Sequence, residues 1–374
     1  MTLVTPRRAI LAAPALLLAL TKSPSTAIAR AAEDGLASVA RKRGITYGAA
    51  LLAENLADET YRRALDREAA LLLPIWEGKW DAIEPQEAVL NTAPLKQIID
   101  WGAAEGKAVR GHTLIWHESL PEWVTKGLKN GRDAGISLMA SHMDRVLGFT
   151  KPFIRDWDVV NEVIADPPGS DTPQSGPGEL RRTPWLAAMG PDYIQQAFIM
   201  ARQRDATLRL TLNEYGIEED TPAAEEKRRR LLTLVRDLVT KSTPIDAVGI
   251  QAHLQLNNPF RAEPFQRFVH ALRDTGVQVL VTELDIREVW NAPQDLAARD
   301  QLVAERAYAF ASCALEAGVK TFLTWGISDR YTWLNNTPGV GLPNGRKHRG
   351  LPLDEDMKRK PMWQALARAF TGGA

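Results

Sequence analysis

The chain has 374 residues, and its 46 Lys and Arg balance 46 Asp and Glu, so the formal net charge is zero. That neutrality leaves no electrostatic footprint for nucleic acid, and 45% apolar with 25% charged residues excludes a disordered chain, a collagen and a multi-span membrane protein. A single cysteine, Cys313, excludes an internal disulfide and a cysteine-based zinc cluster, while tryptophan is over-used at 11 against 9 Phe and 6 Tyr. Residues 1–8 carry Arg7 and Arg8 and no acid, residues 9–20 form a 12-residue apolar run, and Ala27-Ile28-Ala29 offers a small-residue exit. The run is too short to cross a bilayer comfortably. Charged start, short apolar core and A-x-A exit predict an export signal over residues 1–29, and the adjacent arginines give it a twin-arginine character. Its removal takes away Arg7, Arg8 and Lys22, leaving 43 positive and 46 negative charges. The expected product is exported to the periplasm or medium, free of the membrane once the signal is gone, and monomeric.

Residues 30–44 read as a lead-in. From Ile45 onward, short apolar runs alternate with helical periodicity. Strands are predicted over 45–52, 71–76, 108–116, 154–161, 208–213, 247–251, 277–282 and 320–325. Helices are predicted over 94–105, 191–204, 223–240 and 297–317. Strands alternating with helices indicate parallel βαβ units. Length alone, at about 150 residues per domain, allows two or three domains, but eight such strands fit a single (β/α)8 TIM barrel over 45–374 in the α/β class. No Gly-rich dinucleotide or phosphate turn follows the first strand. The stretch 166–183, rich in Pro and Gly, is a loop after the fourth strand, either a surface excursion or a substrate-lining segment.

Barrel enzymes carry their chemistry at the C-terminal ends of the strands. Glu162 closes the fourth run and Glu283 the seventh, three strands apart in a ring of eight and facing one another across the mouth. Two opposed carboxylates are the minimum equipment for glycosidic bond hydrolysis. On regular strands, side-chain alternation puts His112 and Trp116 on one face with His117 opposite, Gln251 with His253, and Glu283 with Asp285. A metal site built from His112, His117, His253 and Asp285 is disfavoured, because His112 and His117 then diverge. Neither metal nor cofactor is expected. Trp76, Trp116, Trp325 and Trp333 fall near strand ends, where indole faces suit the C–H faces of pyranose rings. Trp101 and Trp363 lie in helical patterns and read as core.

Six motifs in order resemble glycoside hydrolase family 10, chiefly endo-β-1,4-xylanases: Lys79-Trp80-Asp81, Arg110 to His117, Trp157 to Glu162, Gln251-Ala252-His253, Thr282 to Asp285 and Trp325 to Asp329. The resemblance spans roughly residues 45 to 370. It implies a (β/α)8 barrel and hydrolysis with retention, Glu162 being the acid/base and Glu283 the nucleophile. It further implies that His253 bonds Glu283, that Asp285 orients His253, and that Asn161 bonds the sugar 2-hydroxyl. Lys79, His112, Trp116, Gln251, Trp325 and Trp333 would line the subsites of a polysaccharide or oligosaccharide substrate; Tyr215 is a further substrate-binding candidate, and Trp76, which departs from the family, would either stack a different sugar or block its subsite. The acid is expected to have a raised pKa, with the charge on Glu283 contributing.

Departures cluster at one place. Where the family carries a Glu-Asn pair before Lys-Trp-Asp, this chain has Ile75 and Trp76; a family Gln after strand three aligns with Ser119; and Asn-Asp-Tyr becomes Asn213-Glu214-Tyr215. These positions serve the second glycone sugar in the family, so the preferred polymer is open between xylan and another β-linked exopolysaccharide. A non-catalytic sugar-binding barrel is the alternative from another class.

Overall fold

The computed structural model describes residues 34–168 and 179–373. The expected export signal lies outside them, as does the centre of the Pro- and Gly-rich loop. Eight strands form the barrel: β1 (Thr46–Leu51), β2 (Leu71–Pro74), β3 (Ala108–Gly111), β4 (Ile154–Asn161), β5 (Arg209–Glu214), β6 (Ala247–Ile250), β7 (Gln278–Arg287) and β8 (Thr321–Thr324). Neighbours pair in parallel in sequence order, and β8 returns to β1 with Thr46 opposite Thr321, which closes the ring. The strands are buried nearly end to end. A parallel sheet covered on both faces requires that, which is why they read as continuous apolar runs rather than alternating ones.

A helix follows each strand: α2 (Glu59–Glu68), α3 (Ala93–Ala104), α4 (Arg132–Thr150), α5 (Tyr193–Arg204), α6 (Pro222–Thr240), α7 (Ala262–Arg273), α8 (Leu296–Glu316) and α9 (Pro361–Thr371). A further helix, α1 (Leu36–Arg41), precedes β1 within the expected lead-in and packs beside α9. The Leu36 N–H donates to the buried Glu68 carboxylate at 2.8 Å. The unit Gly35–Ala374 is one compact body. None of its described helices is long and apolar enough to cross a membrane.

Most strand ends at the mouth differ from the sequence expectation; β2, for one, stops at Pro74 rather than Trp76. β3 stops at Gly111 instead of running to Trp116, although Leu114 and Ile115 still donate to the Asp158 and Val159 carbonyls of β4 at 2.9 and 3.0 Å. β6 stops at Ile250 because Ala252 takes a left-handed φ of 63°, and His253–Gln255 then forms a separate short strand on β7. β7 runs on past Thr282 to Arg287, so Glu283 and Asp285 sit within a strand.

The barrel's first and last segments are fastened at Asp58. Its side chain caps α2 by accepting from Thr60 and Tyr61 N–H at 2.9 and 3.2 Å, and it takes Arg330 and Tyr331 after β8 at 2.5 and 2.9 Å. Backbone N–H groups first, then Tyr331 and Arg330, hold its carboxyl down at about 2 against a smaller opposing effect of burial. Asp58→Ala is expected to cost about 1–2 kcal/mol, read as a lower thermal midpoint. Asp58→Asn, which can still cap, should fall between the two.

Candidate active site

Glu162 is the first residue beyond β4, and its backbone is left-handed at φ 58°. For a residue with a Cβ that conformation costs about 1–3 kcal/mol and needs surroundings that enforce it. Two contacts do so: its N–H donates to the Asn213 carbonyl at 2.9 Å, and its own carbonyl accepts from Arg181 Nε at 2.9 Å. The carboxylate is thereby turned into the mouth. It accepts from Trp116 Nε1 at 2.8 Å, Gln251 Nε2 at 2.9 Å and Asn161 Nδ2 at 3.1 Å.

Glu283, buried on β7, accepts from Asn213 Nδ2 at 2.7 Å through Oε1 and faces His253 Nε2 at 3.2 Å through Oε2. His253 Nδ1 lies 2.8 Å from Asp285 Oδ1, and Trp333 Nε1 donates to Asp285 Oδ2 at 2.5 Å. Asn213 Nδ2 also donates to Asn161 Oδ1 at 2.9 Å. The two carboxylates are therefore joined through two asparagine amides, a closer association than opposite positions on a ring of eight would suggest. Gln251 and His253 do not act as a pair on one strand face. The turn at Ala252 sends Gln251 to Glu162 and His253 to Glu283.

The two glutamates sit in different electrostatic settings. Burial would depress the His253 imidazole, but Asp285 and Glu283 outweigh it and hold its pKa well above the ordinary histidine value. At Glu162, burial acts upward, yet His117, the Gln251 and Trp116 donors and Arg181 bring the pKa below that of an ordinary glutamate. Burial puts His117 itself down at about 4. The expected raised pKa of Glu162 is therefore absent in the free site, where the neighbouring charges and N–H donors together prevail over desolvation.

Lys79, buried at the end of the β2 loop, has its Nζ 4.6 Å from the Trp116 ring, 5.7 Å from Trp76 and 6.0 Å from Trp325. Burial depresses its pKa, opposed by attraction to Glu283 and Glu162. His112 is buried with Nδ1 at 2.9 Å from Asp158, and Trp325 is largely packed with Leu71, Leu73 and Leu323, its ring 5.5 Å from His112. Trp76 is half-exposed at the rim. Tyr215 differs from its expected role: its hydroxyl donates to Asp166 at 2.6 Å and accepts from Arg181 at 2.7 Å, which commits it to a buried network with Lys227 rather than to a sugar.

Sequence reasoning missed Asn213, Arg181 and Asp158. Asn213 was visible only as part of a motif, and Arg181 lay inside the Pro- and Gly-rich loop, which carried no periodicity. Asp158 binds Arg110 through both oxygens at 2.5 Å each inside the barrel; an Asp in the middle of an apolar strand was the available signal. No group of three or more His, Cys, Asp or Glu among the described residues is arranged to hold a metal ion.

The sequence pattern described as Glycosyl hydrolase family 10 matches residues 35–369. The chain belongs to that family. It is 32% identical over 333 residues to a Beta-1,4-xylanase of Dictyoglomus thermophilum, covering 86% of this chain and 87% of the relative. It is 28% identical over 308 residues to Endo-1,4-beta-xylanase B of Thermotoga neapolitana, covering 82% of each. Among solved structures, native xylanase 10B from Thermotoga maritima superposes with a TM-score of 0.79 at 28% identity, over 90% of this chain and 98% of that one. Xylanase 10B from Thermotoga petrophila RKU-1 in complex with xylobiose gives 0.79 at 27% identity, over 90% and 97%.

Family membership makes the donors around Glu162 testable through pH. Gln251→Met removes one hydrogen bond to the charged carboxylate. The Glu162 pKa should therefore rise, and the alkaline limb of kcat/KM should move to higher pH than in the wild type. The optimum rate should fall by roughly tenfold. An alkaline limb that stays in place would show that Gln251 does not set the acid's protonation.

Proposed function

We propose that this chain is a retaining glycoside hydrolase that cleaves β-1,4-linked xylan, with Glu162 as acid/base and Glu283 as nucleophile. The observation that carries the reading is the pair itself: two carboxylates, Glu283 buried and Glu162 half-buried, joined through Asn161 and Asn213, each with its own donors. In the first step Glu162 gives its proton to the leaving oxygen while Glu283 attacks the anomeric carbon, forming a covalent glycosyl-enzyme. In the second, Glu162 takes a proton from water, which attacks the same carbon and releases Glu283, so that two inversions give retention. Asp285 fixes His253 against Glu283, and Asn161 lies beside Glu162 where a sugar 2-hydroxyl would be reached. His112, Lys79 and Gln251 supply polar contacts, and Trp116, Trp325 and Trp333 supply ring faces.

The second glycone subsite is the altered part. Ile75 packs against the cluster holding Trp325, with Trp333 beside it. Glu77 turns away to bond the Ala53 and Trp76 N–H groups. Neither Ile75 nor Trp76 offers the hydrogen bonds that family members place there, and each lost bond costs about 0.5–1.5 kcal/mol. Export follows from the charge and apolar pattern of residues 1–29, by a twin-arginine route to the periplasm or medium, where the protein would act as a monomer on polysaccharide.

The test is hydrolysis of xylan and of aryl β-xyloside and β-xylobioside. Glu283→Ala should abolish turnover, and Glu162→Ala should lose about 10²–10⁴-fold on xylan and less on an aryl glycoside with a good leaving group. The second xylose should improve kcat/KM by no more than about tenfold; a gain of hundreds would overturn the altered subsite. Equal inertness of wild type and both variants on a panel of activated glycosides would favour a sugar-binding barrel.

A further inference from the structure

The left-handed turn at Ala252 decides where both glutamates find a partner, because it sends Gln251 to Glu162 and His253 to Glu283. An alanine does not hold a φ of 63° unaided, since its Cβ crowds the backbone there. The chain around it is therefore fastened at each peptide group. The Gln251 N–H donates to the Glu214 carbonyl of β5 at 2.9 Å, and the Ala252 carbonyl accepts from the Asp285 and Leu254 N–H groups at 3.3 and 3.0 Å. The Ala252 N–H donates to Glu218 Oε1 at 2.8 Å. In that set Glu218 is the side chain; the others are main-chain groups.

Glu218 lies in the loop between β5 and α6 and is buried, at 2% exposure. Its second oxygen accepts from the Ile217 N–H at 2.7 Å. Among the described residues its hydrogen bonds all go to backbone N–H groups, and it makes no ion pair there. Burial raises its pKa, opposed by those N–H groups and by the nearby His253. Taking a carboxylate out of water without a cationic partner is costly, and what this one obtains is a hold on the peptide that turns. The next residue, Glu219, secures the far end of the same short strand, accepting from the Gln255 N–H and from Asn258 Nδ2 at 2.5 Å each. His253 sits between the two anchors, opposite Asp285 of β7.

We propose that Glu218 is a positioning residue for the reaction: by holding the Ala252 N–H it fixes the turn that delivers Gln251 to the acid/base and His253 to the nucleophile. It bonds neither glutamate of the pair and acts through one peptide group. The catalytic consequence rests on the reading given under Proposed function; the placement of Gln251 and His253 does not. Glycine at position 252 would take the same backbone freely, so the need for Glu218 follows from the alanine.

In Glu218→Ala, kcat on soluble xylan should fall by roughly 10–100-fold with KM within about threefold of wild type, the pattern of misplaced catalytic groups around a substrate that still binds. Glu218→Gln, which keeps an oxygen for the Ala252 N–H, should lose less. Adding Ala252→Gly to Glu218→Ala should recover roughly fivefold, because glycine reaches the left-handed backbone without a Cβ. The same glycine should not improve Glu219→Ala, whose lost contacts lie beyond His253. The imidazole N–H proton of His253, identified in NMR spectra by its absence from His253→Ala, should shift or broaden in Glu218→Ala and return in the double variant. Glu218→Met, which keeps the length but accepts no hydrogen bond, carries every comparison where Glu218→Ala does not fold. An unchanged kcat, a loss confined to KM, glycine rescue that is absent or equal in the Glu219→Ala background, or an unmoved His253 resonance would each overturn the proposal. A wild type inert on xylan would overturn the functional reading, while the resonance, which needs no turnover, would still decide the placement.

Discussion

The side-chain amide of Asn213 is the contact on which the site depends. Its Nδ2 donates to Glu283 and to Asn161, and its Oδ1 accepts from Thr282 Oγ1 at 2.7 Å. The group is neutral and cannot titrate, so it places one hydrogen bond on each side of the carboxylate pair without adding charge. It also needs room. A Cβ at position 249 on the neighbouring β6 would overlap Asn213 Oδ1, so glycine is required there by close approach. The Asn213 carbonyl in turn holds the left-handed Glu162 by its N–H, while Arg181 takes the Glu162 carbonyl. Arg181 is itself fixed by Tyr215 and by Asp166, which Lys227 of α6 reaches at 2.6 Å. Backbone strain at the acid/base is thus offset by a buried ionic network behind it.

This arrangement treats the two glutamates unequally, and the inequality suits their proposed roles. Glu283 faces an imidazole that Asp285 keeps charged, a partner that persists whether or not a sugar is present. Glu162 is held low by His117 and Arg181 together with the neutral donors Gln251 and Trp116, and a sugar hydroxyl can recruit or displace the neutral ones. A substrate that took those donors and excluded water would leave the desolvation acting on Glu162 less opposed, the direction that favours its acid form.

The barrel was legible because a parallel sheet under helices buries both faces of every strand, and buried strands print themselves as apolar runs. The 154–161 run matched β4 residue for residue. The breaks in β3 after Gly111 and in β6 at Ala252 were not legible, since a lone glycine within an apolar run does not by itself end a strand and Ala252 carries no turn signal. Both are enforced from outside; the Ala252 N–H, for example, bonds the buried Glu218 carboxylate at 2.8 Å. The carboxylate pair and His253 were readable from their places at strand ends. The placing of Arg181 and of the Tyr215 hydroxyl depends on Asp166, 15 and 49 residues away, on an element that spacing alone does not bring together with them.

The surplus of tryptophan has a second cause besides sugar faces. Trp116 donates to Glu162, Trp333 to Asp285, Trp363 to Glu68 at 2.7 Å, and Trp185 to the Trp116 carbonyl at 2.9 Å. A buried carboxylate needs hydrogen-bond donors, and charged donors would alter its titration as well as its position. Phenylalanine offers none, and tyrosine both donates and accepts. The indole N–H only donates, never titrates in the working range, and arrives on a ring large enough to fill the space it occupies. A cleft that must hold several carboxylates in place, one of them able to change protonation, therefore selects indole over the other aromatic rings even where no sugar touches it.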